Sequence, residues 1–166
     1  MGYSTADKLY LAFFAMFIPV VAFVDLIPIW PRAFIPAPLW ALHRFYLDNF
    51  NDQLAIKAPT WFSVFLFFEA FYNLPAAIWI FLGIRRGGSS SWVHMCMFGT
   101  LCTLSTVVCI AEIRQDPDMT ALEKNMVMLC YVPFAIIFPI MAVHNMIRIQ
   151  GKLALADRAA IRKKGN

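Results

Sequence analysis

Two carboxylates lie inside long apolar segments, where a charged side chain is costly. Asp25 stands within the run Phe-Val-Asp-Leu-Ile-Pro-Ile-Trp-Pro at residues 23–31, and Glu69 stands within a second apolar run, with Asn73 one helical turn later. Inserting an ionised side chain into a bilayer costs about 2.5–3.5 kcal/mol, so such a residue generally has a function. Two carboxylates at similar depth repel each other unless they share a proton or bind a cation. The spacing therefore predicts a site for a cationic ligand or for proton transfer.

The composition indicates that the segments around these carboxylates cross a membrane. Of the 166 residues, 61% are hydrophobic and only 14% are charged, which is too apolar for a soluble domain. The segments 9–30, 61–84, 92–113 and 125–147 are each long enough to cross about 30 Å of hydrocarbon. The sequence thus predicts an all-α, polytopic membrane protein whose core is a bundle of four transmembrane helices. Prolines inside three of the spans (Pro19, Pro28, Pro75, Pro133 and Pro139) predict kinks that open space between helices.

The remaining segments complete a single membrane domain over residues 1–150 and a basic tail over residues 151–166. Within the long first loop, residues 38–50 place apolar side chains on one face, which predicts a short helix at the membrane interface. Lys and Arg number nine on the side of the termini and five on the other side. The positive-inside rule therefore predicts that both termini are cytosolic and that the first loop is lumenal.

The C-terminus ends in Lys163-Lys164-Gly165-Asn166. Two lysines at these positions resemble a dilysine signal for retrieval to the endoplasmic reticulum, which requires a cytosolic tail. The alternative is a basic tail that rests on anionic lipid headgroups. We interpret the pair as a retrieval signal and expect the protein in the membrane of the endoplasmic reticulum.

Depth counting at 1.5 Å per residue brings four polar groups into the lumenal half of the bundle. Asp25 is expected about 7 Å, Glu69 about 12 Å and Tyr131 about 9 Å below the surface, with Asn73 one turn beyond Glu69. A structural alternative is that Glu69 and Asn73 hydrogen-bond each other or neighbouring helices. His144 and Asn145 fall near the opposite end of the fourth span, and we expect them at the interface.

Other chemistries are not indicated. The four cysteines lie in apolar segments without CxxC spacing or matching histidines, which favours buried thiols over a metal site or a disulfide framework. No Ser/His/Asp set or phosphate-binding glycine loop is evident. The hydroxyl residues of the third span, from Thr100 to Thr106, are expected to bond to their own helix. We therefore predict no metal, no cofactor and no nucleic-acid partner.

The order of these residues resembles a known family. The similarity covers Ile18-Pro19, Asp25-Leu26, Pro31-Arg32, Tyr46, Asp52, Pro59-Thr60-Trp61-Phe62, Phe65-Leu66-Phe67, Glu69, Leu74-Pro75 and Tyr131-Val132-Pro133-Phe134. This pattern is similar to the EXPERA-domain membrane proteins, most closely to their sigma-2 receptor branch. The family also includes the emopamil-binding sterol isomerases.

The resemblance implies an intramembrane pocket for sterols and lipophilic cationic amines. In that pocket Asp25 would pair with a ligand amine, Asp52 would support it, and Glu69 would be a second acidic group. Tyr46 and Tyr131 would be pocket aromatics, whereas Asn73 and Phe134 stand where the receptor branch has a glutamine and a tyrosine. The resemblance also implies a homodimer among the partners.

Two other functions remain open at this level. In an acid-catalysed isomerase or cyclase of sterols or terpenoids, Asp25 or Glu69 would donate the proton and Asp52 would tune it. Phe65 stands one turn before Glu69, where the isomerase branch would have a histidine, and this favours a binding protein over an enzyme. The third function is a chaperone or trafficking partner that uses the bundle surface to contact other membrane proteins.

Overall fold

The computed structural model describes residues 3–164, except for the side chain of Lys164. Its α-helices are α1 (Thr5–Val20), α2 (Ala37–Phe50), α3 (Gln53–Lys57), α4 (Thr60–Phe68), α5 (Leu74–Arg85), α6 (Ser90–Gln115) and α7 (Ala121–Lys164). Four helical segments in this part of the chain are long and apolar enough to span a membrane: Thr5–Ile29, Thr60–Arg85, Ser90–Gln115 and Ala121–Lys163. The predicted all-α, four-span architecture is confirmed.

The first two spans are interrupted by π-helical turns. In the first span α1 is followed by a π turn at Val21–Asp25 and a 3-10 turn at Ile27–Ile29. In the second span a π turn at Glu69–Asn73 separates α4 from α5. Each turn lies just before a proline, Pro28 or Pro75, whose missing N–H removes a hydrogen bond from the preceding turn. Proline alone does not determine the break, because α7 runs without interruption through Pro133 and Pro139.

An aromatic core fills the middle of the bundle. Phe14 of α1 and Phe98 of α6 are both fully buried, and their ring centroids lie 5.3 Å apart. Phe138 of α7 joins them, with its ring centroid 5.8 Å from that of Phe98. The helices α6 and α7 approach closely at Gly99, where a Cβ atom would lie 2.6 Å from the carbonyl oxygen of Phe138. Only glycine permits this approach.

The long first loop covers one end of the bundle, here called the α2–α3 end. Helix α2 confirms the short helix predicted over residues 38–50, and it packs against the first π turn and α7. The side chain of Asp52 caps the additional helix α3. Lys57 in α3 forms ion pairs with Asp116 at 2.8 Å and Asp118 at 2.7 Å, which connect this loop to the α6–α7 connection. These ion pairs hold the first loop in place over one end of the spans.

The basic tail continues α7 as a helix that leaves the bundle. Every residue from Gln150 to Lys163 is exposed. The proposed retrieval pair falls at this helix end, where Lys163 is in the last turn. The side chain of Lys164 and residues 165–166 lie outside the described part of the chain.

Candidate functional site

The π turns position the two intramembrane carboxylates. Asp25 is the last residue of the first turn, and Glu69 is the first residue of the second. The two side chains lie close enough to interact electrostatically. A π turn inserts one extra residue into a helix and so changes the face on which the following side chains lie, and such turns occur often at functional sites. The orientation of Asp25 and Glu69 therefore depends on the two π turns, which the pattern of apolar residues did not predict.

Neither carboxylate is neutralised by the protein. Across residues 3–164, no ion pair or side-chain hydrogen bond reaches Asp25 or Glu69. Asp25 is exposed and Glu69 is partly exposed, although both belong to membrane spans. Both acidic groups are therefore accessible from outside the protein core. They can accept hydrogen bonds from an ammonium or a hydroxyl group.

Asn73 adds a buried amide at the end of the second π turn. Its side chain is 6% exposed, and its Oδ1 atom has no hydrogen-bond partner in the described residues. The alternative in which Glu69 and Asn73 bond each other is thus not observed. A buried acceptor without a partner costs about 1–3 kcal/mol. A donor supplied by a ligand or by a protonated carboxyl would remove this cost.

Asp52 and Tyr46 form a roof above the spans. The Tyr46 hydroxyl donates to Asp52 Oδ2 at 2.7 Å, and the Leu54 backbone N–H donates to Asp52 Oδ1 at 3.0 Å. Burial raises the pKa of the Asp52 carboxyl, although the bonds from Tyr46 and the backbone oppose this shift. Burial and the nearby Asp52 charge raise the pKa of Tyr46 above its ordinary value. Asp52 thus connects α2 to α3 in the loop outside the membrane spans.

The two predicted positions of the fourth span lie at different levels. Tyr131 is half-buried and within electrostatic range of Asp25, Asp52 and Tyr46, so it faces the carboxylate region. The Phe134 ring lies 5.6 Å from that of Phe138, within the aromatic core. The structure therefore brings Tyr131 towards the carboxylates, whereas Phe134 packs in the aromatic core.

Three hydroxyls of α6 bond to their own helix, as predicted. The donors and acceptors are Thr100 to the Cys96 carbonyl at 2.9 Å, Thr103 to the Gly99 carbonyl at 2.6 Å, and Ser105 to the Cys102 carbonyl at 3.1 Å. These bonds satisfy the hydroxyls without any neighbouring helix. They leave these residues no required role in the site.

Thr106 differs from its neighbours, and sequence reasoning missed it. It is 9% exposed, and its hydroxyl makes none of the side-chain hydrogen bonds found in the described residues. Cys102 and Cys109, which are also buried, share its helix face and lie within electrostatic range of Glu69. Thr106 therefore faces the Glu69 side of the bundle. The only signal in the sequence was the spacing of Cys102, Thr106 and Cys109, which places these three small residues on one face of a helix.

The prediction that Asn145 lies at the interface is wrong. Asn145 is 0% exposed, and its Nδ2 donates to the Met141 carbonyl at 2.8 Å. Beside it, the Tyr10 hydroxyl and His144 Nδ1 are 2.7 Å apart. This polar cluster joins α1 to α7 at the end of the bundle opposite α2 and α3, so contact between helices and not lipid depth determines its burial.

The acidic groups do not assemble a metal centre. Within the described residues, no cluster of three or more His, Cys, Asp or Glu side chains has the arrangement of a metal site.

Comparison with known proteins places the chain among membrane proteins. Residues 38–145 match the family described as EXPERA (EXPanded EBP superfamily). Efficient mitochondria targeting-associated protein 19 of Schizosaccharomyces pombe is 29% identical over 131 residues, which cover 77% of this chain and 68% of that protein. Sigma intracellular receptor 2 of Xenopus tropicalis is 33% identical over 69 residues, covering 42% of this chain and 40% of the receptor. Asp25 precedes the residues matched to the family.

Proposed function

Because the chain belongs to the EXPERA (EXPanded EBP superfamily) family, we propose that it binds sterols and lipophilic amines in an intramembrane pocket whose polar end is formed by Asp25 and Glu69. The observation that carries this proposal is the pair of π turns. They carry two carboxylates that lie within electrostatic range of each other and that have no ion pair or side-chain hydrogen bond in the described part of the chain.

The charge of the site favours a cationic or hydroxyl-bearing ligand. Two ionised carboxylates in a low-dielectric region repel each other, and an ammonium group between them would replace this repulsion by attraction. A sterol hydroxyl can instead donate to a carboxylate or to Asn73 Oδ1, the buried acceptor that lacks a partner in the described residues. Both ligand classes therefore satisfy the same polar end.

The apolar surroundings suit a large rigid ligand. The site lies between two apolar clusters, one containing Phe17 and Cys102 and the other containing Leu66 and Cys109. Ligand pockets typically combine an apolar lining with a few polar groups that fix orientation. A sterol has this character, with one hydroxyl and a rigid hydrocarbon body.

Labelling with a photo-crosslinkable sterol tests the proposal. We expect labelling of the purified protein to be competed by free sterol and reduced about tenfold in Asp25→Asn or Glu69→Gln, which is the effect of losing about 1.4 kcal/mol. Glu112→Gln is the matched control, because Glu112 is an exposed carboxylate in α6. Labelling that is equal in all three variants would contradict the assigned pocket. Thr106→Val asks whether the hydroxyl that faces Glu69 contributes to binding.

The same carboxylates could serve an acid-catalysed isomerase or cyclase. A protonated carboxyl would deliver its proton to an olefin or epoxide, and the other carboxylate would stabilise the resulting cation. Product analysis of the purified protein with unsaturated sterols and polyprenyl epoxides separates the two functions. Turnover that disappears in Glu69→Gln would replace the binding proposal with an enzymatic one.

A second candidate is a role in protein delivery to mitochondria. The fission yeast relative, whose name refers to mitochondria targeting, matches 77% of this chain. We would measure import of mitochondrial precursors in cells that lack the protein and after return of the wild type or Asp25→Asn. Rescue by both would place this role on the bundle surface, whereas loss of rescue in the variant would connect it to the pocket.

The proposed location is the endoplasmic reticulum membrane, with both termini cytosolic. This location and orientation rest on the distribution of Lys and Arg and on the pair Lys163 and Lys164. A homodimer is the proposed assembly, and it rests on the family resemblance alone. Replacing both lysines by serine should move the protein to later compartments. A glycosylation acceptor introduced between α2 and α3 should be modified, and its absence of modification would reverse the orientation.

A further inference from the structure

An apolar cavity of about 170 Å³ lies outside the carboxylate site, at the α2–α3 end of the first span. Its walls come from Phe23 and Ile27 of the span and from Trp30, Phe34 and Leu39 of the following segment. Phe23 is 53% exposed, Trp30 45% and Phe34 70%, so the cavity opens on the outer surface of the bundle. A tryptophan at the end of a span is typical of the membrane interface.

The volume of this cavity limits what can enter it. An engineered apolar cavity of about 150 Å³ in another protein binds benzene, so this one takes a hydrocarbon piece of about six carbons. That is too small for the ring system of a sterol but sufficient for part of an acyl chain. The rest of the chain would continue along the exposed apolar surface of the span.

A cation lies within the segment that forms the outer wall of the cavity, between the lining residues Trp30 and Phe34. Arg32 occupies the 3-10 turn Arg32–Phe34, and its guanidinium carbon lies 3.5 Å from the centroid of the Trp40 ring. No acidic side chain in the described residues forms an ion pair with it. The stacking on Trp40 joins the two ends of the segment that forms the outer wall. It therefore fixes the positive charge against the wall segment, whose residue Leu39 lines the cavity next to Trp40 in the chain.

The neighbouring groups keep this segment positive. Arg44 is exposed and follows Trp40 by one helical turn. The His43 ring centroid lies 5.6 Å from that of Trp40, and burial lowers the pKa of His43, so this ring is neutral at pH 7. A positive charge here repels a cationic amine and attracts a phosphate.

We propose that this cavity binds one acyl chain of an anionic glycerophospholipid whose phosphate contacts Arg32. The chain fits the apolar walls, and the phosphate fits the Arg32 guanidinium, which forms no ion pair within residues 3–163. None of the residues lining this cavity is among the polar groups assigned to the carboxylate site, so the proposal does not depend on the function proposed above.

Native mass spectrometry of the delipidated full-length protein in detergent tests this proposal. With an equimolar mixture of phosphatidylserine and phosphatidylcholine, we expect retention of the anionic lipid to exceed that of the zwitterionic lipid. Arg32→Gln should reduce this preference about fivefold, the effect of about 1 kcal/mol for one cation near a membrane surface. Arg86→Gln, an exposed arginine at the other end of the bundle, is the matched control and should leave the preference unchanged.

Further measurements separate the lipid from its parts. Leu39→Trp should fill the cavity and lower the retention of both lipids, whereas Arg32→Lys should keep most of the preference. Glycerophosphoserine, which has the headgroup but no chains, should not displace the bound lipid, and displacement would identify a site for soluble phosphates and overturn the proposal. Equal retention of both lipids by the wild type, or equal preferences in Arg32→Gln and Arg86→Gln, would also overturn it. Thermal unfolding of each variant checks that it is folded.

Discussion

Substitution of Gly99 tests whether close packing of α6 on α7 holds the bundle together. A Cβ atom at this position would lie 2.6 Å from the Phe138 carbonyl oxygen and 2.9 Å from the Ala142 backbone nitrogen. Both atoms belong to the backbone of α7, so no change of side-chain rotamer relieves the contact. In Gly99→Ala the two helices must therefore move apart by several tenths of an ångström.

The size of the effect follows from two opposing contributions. Overpacking a core by an added methyl group costs about 1–3 kcal/mol, whereas replacing glycine by alanine within a helix stabilises it by about 1 kcal/mol. Gly151→Ala isolates the second contribution, because a Cβ atom at Gly151 has no neighbouring atom within 4 Å. We expect the free energy of unfolding of Gly99→Ala to be about 1–3 kcal/mol below that of Gly151→Ala.

Chemical unfolding in detergent, followed by circular dichroism and tryptophan fluorescence, measures this difference. Gly83→Ala should fall between the two variants, since its nearest neighbour is the Ser91 Cβ atom at 3.1 Å, which belongs to a side chain. Adding Ala142→Gly to Gly99→Ala should not restore stability, because the closest contacts are with the backbone. If Gly99→Ala is as stable as Gly151→Ala, or if Ala142→Gly rescues it, the packing argument is refuted.

Three further results are expected. Asp52→Ala should lower the free energy of unfolding by about 2 kcal/mol, because the variant loses a helix cap and leaves the Tyr46 hydroxyl without its acceptor. In the same unfolding assay, Asp52→Asn should keep the cap and most of the stability. Burial raises the pKa of Asp52 in the folded state, so the folded protein keeps this proton to a higher pH than the unfolded chain does. The free energy of unfolding should therefore fall as the pH rises from about 4 through the raised pKa. If Asp52→Asn shows the same dependence on pH, that dependence belongs to other groups. Asn73→Leu should raise the melting temperature of ligand-free protein, because it removes a buried acceptor that has no partner within residues 3–163, and it should weaken sterol labelling. A lower melting temperature would show that water or another group satisfies the amide.

Local patterns predicted some elements to within one or two residues. Helix α2, at Ala37–Phe50, begins one residue before the predicted helix and ends with it, because its turn chemistry is local: Pro36 precedes it and Asn51 closes it in the left-handed conformation. The interruptions of the spans were not predictable in this way. All five prolines inside the spans gave the same local signal, yet a π turn formed only before Pro28 and Pro75. Contacts between helices decide which of these breaks is tolerated.

The residues of the site were likewise predictable from the sequence only in part. Counting residues from the span ends predicted that Asp25, Glu69 and Tyr131 lie in the same half of the bundle, since depth depends only on residue number and rise per residue. Thr106 was not distinguishable from Thr103, because only the packing of α6 shows that one hydroxyl bonds to its own helix while the other faces Glu69. Asn145 was misplaced for a related reason, because a residue near the end of a span can still be covered completely by a neighbouring helix.

The sequence by itself determined the membrane class, the four spans, the interfacial helix and the family, because apolar length, amphipathic period and motif order are properties of the chain read in one dimension. The tertiary structure alone decided which polar groups lack partners, and it placed Arg32 beside an apolar cavity. These features depend on which helix faces meet. The rotation of each helix is determined by packing at contacts such as Gly99 on α7, and these contacts join residues far apart in the chain.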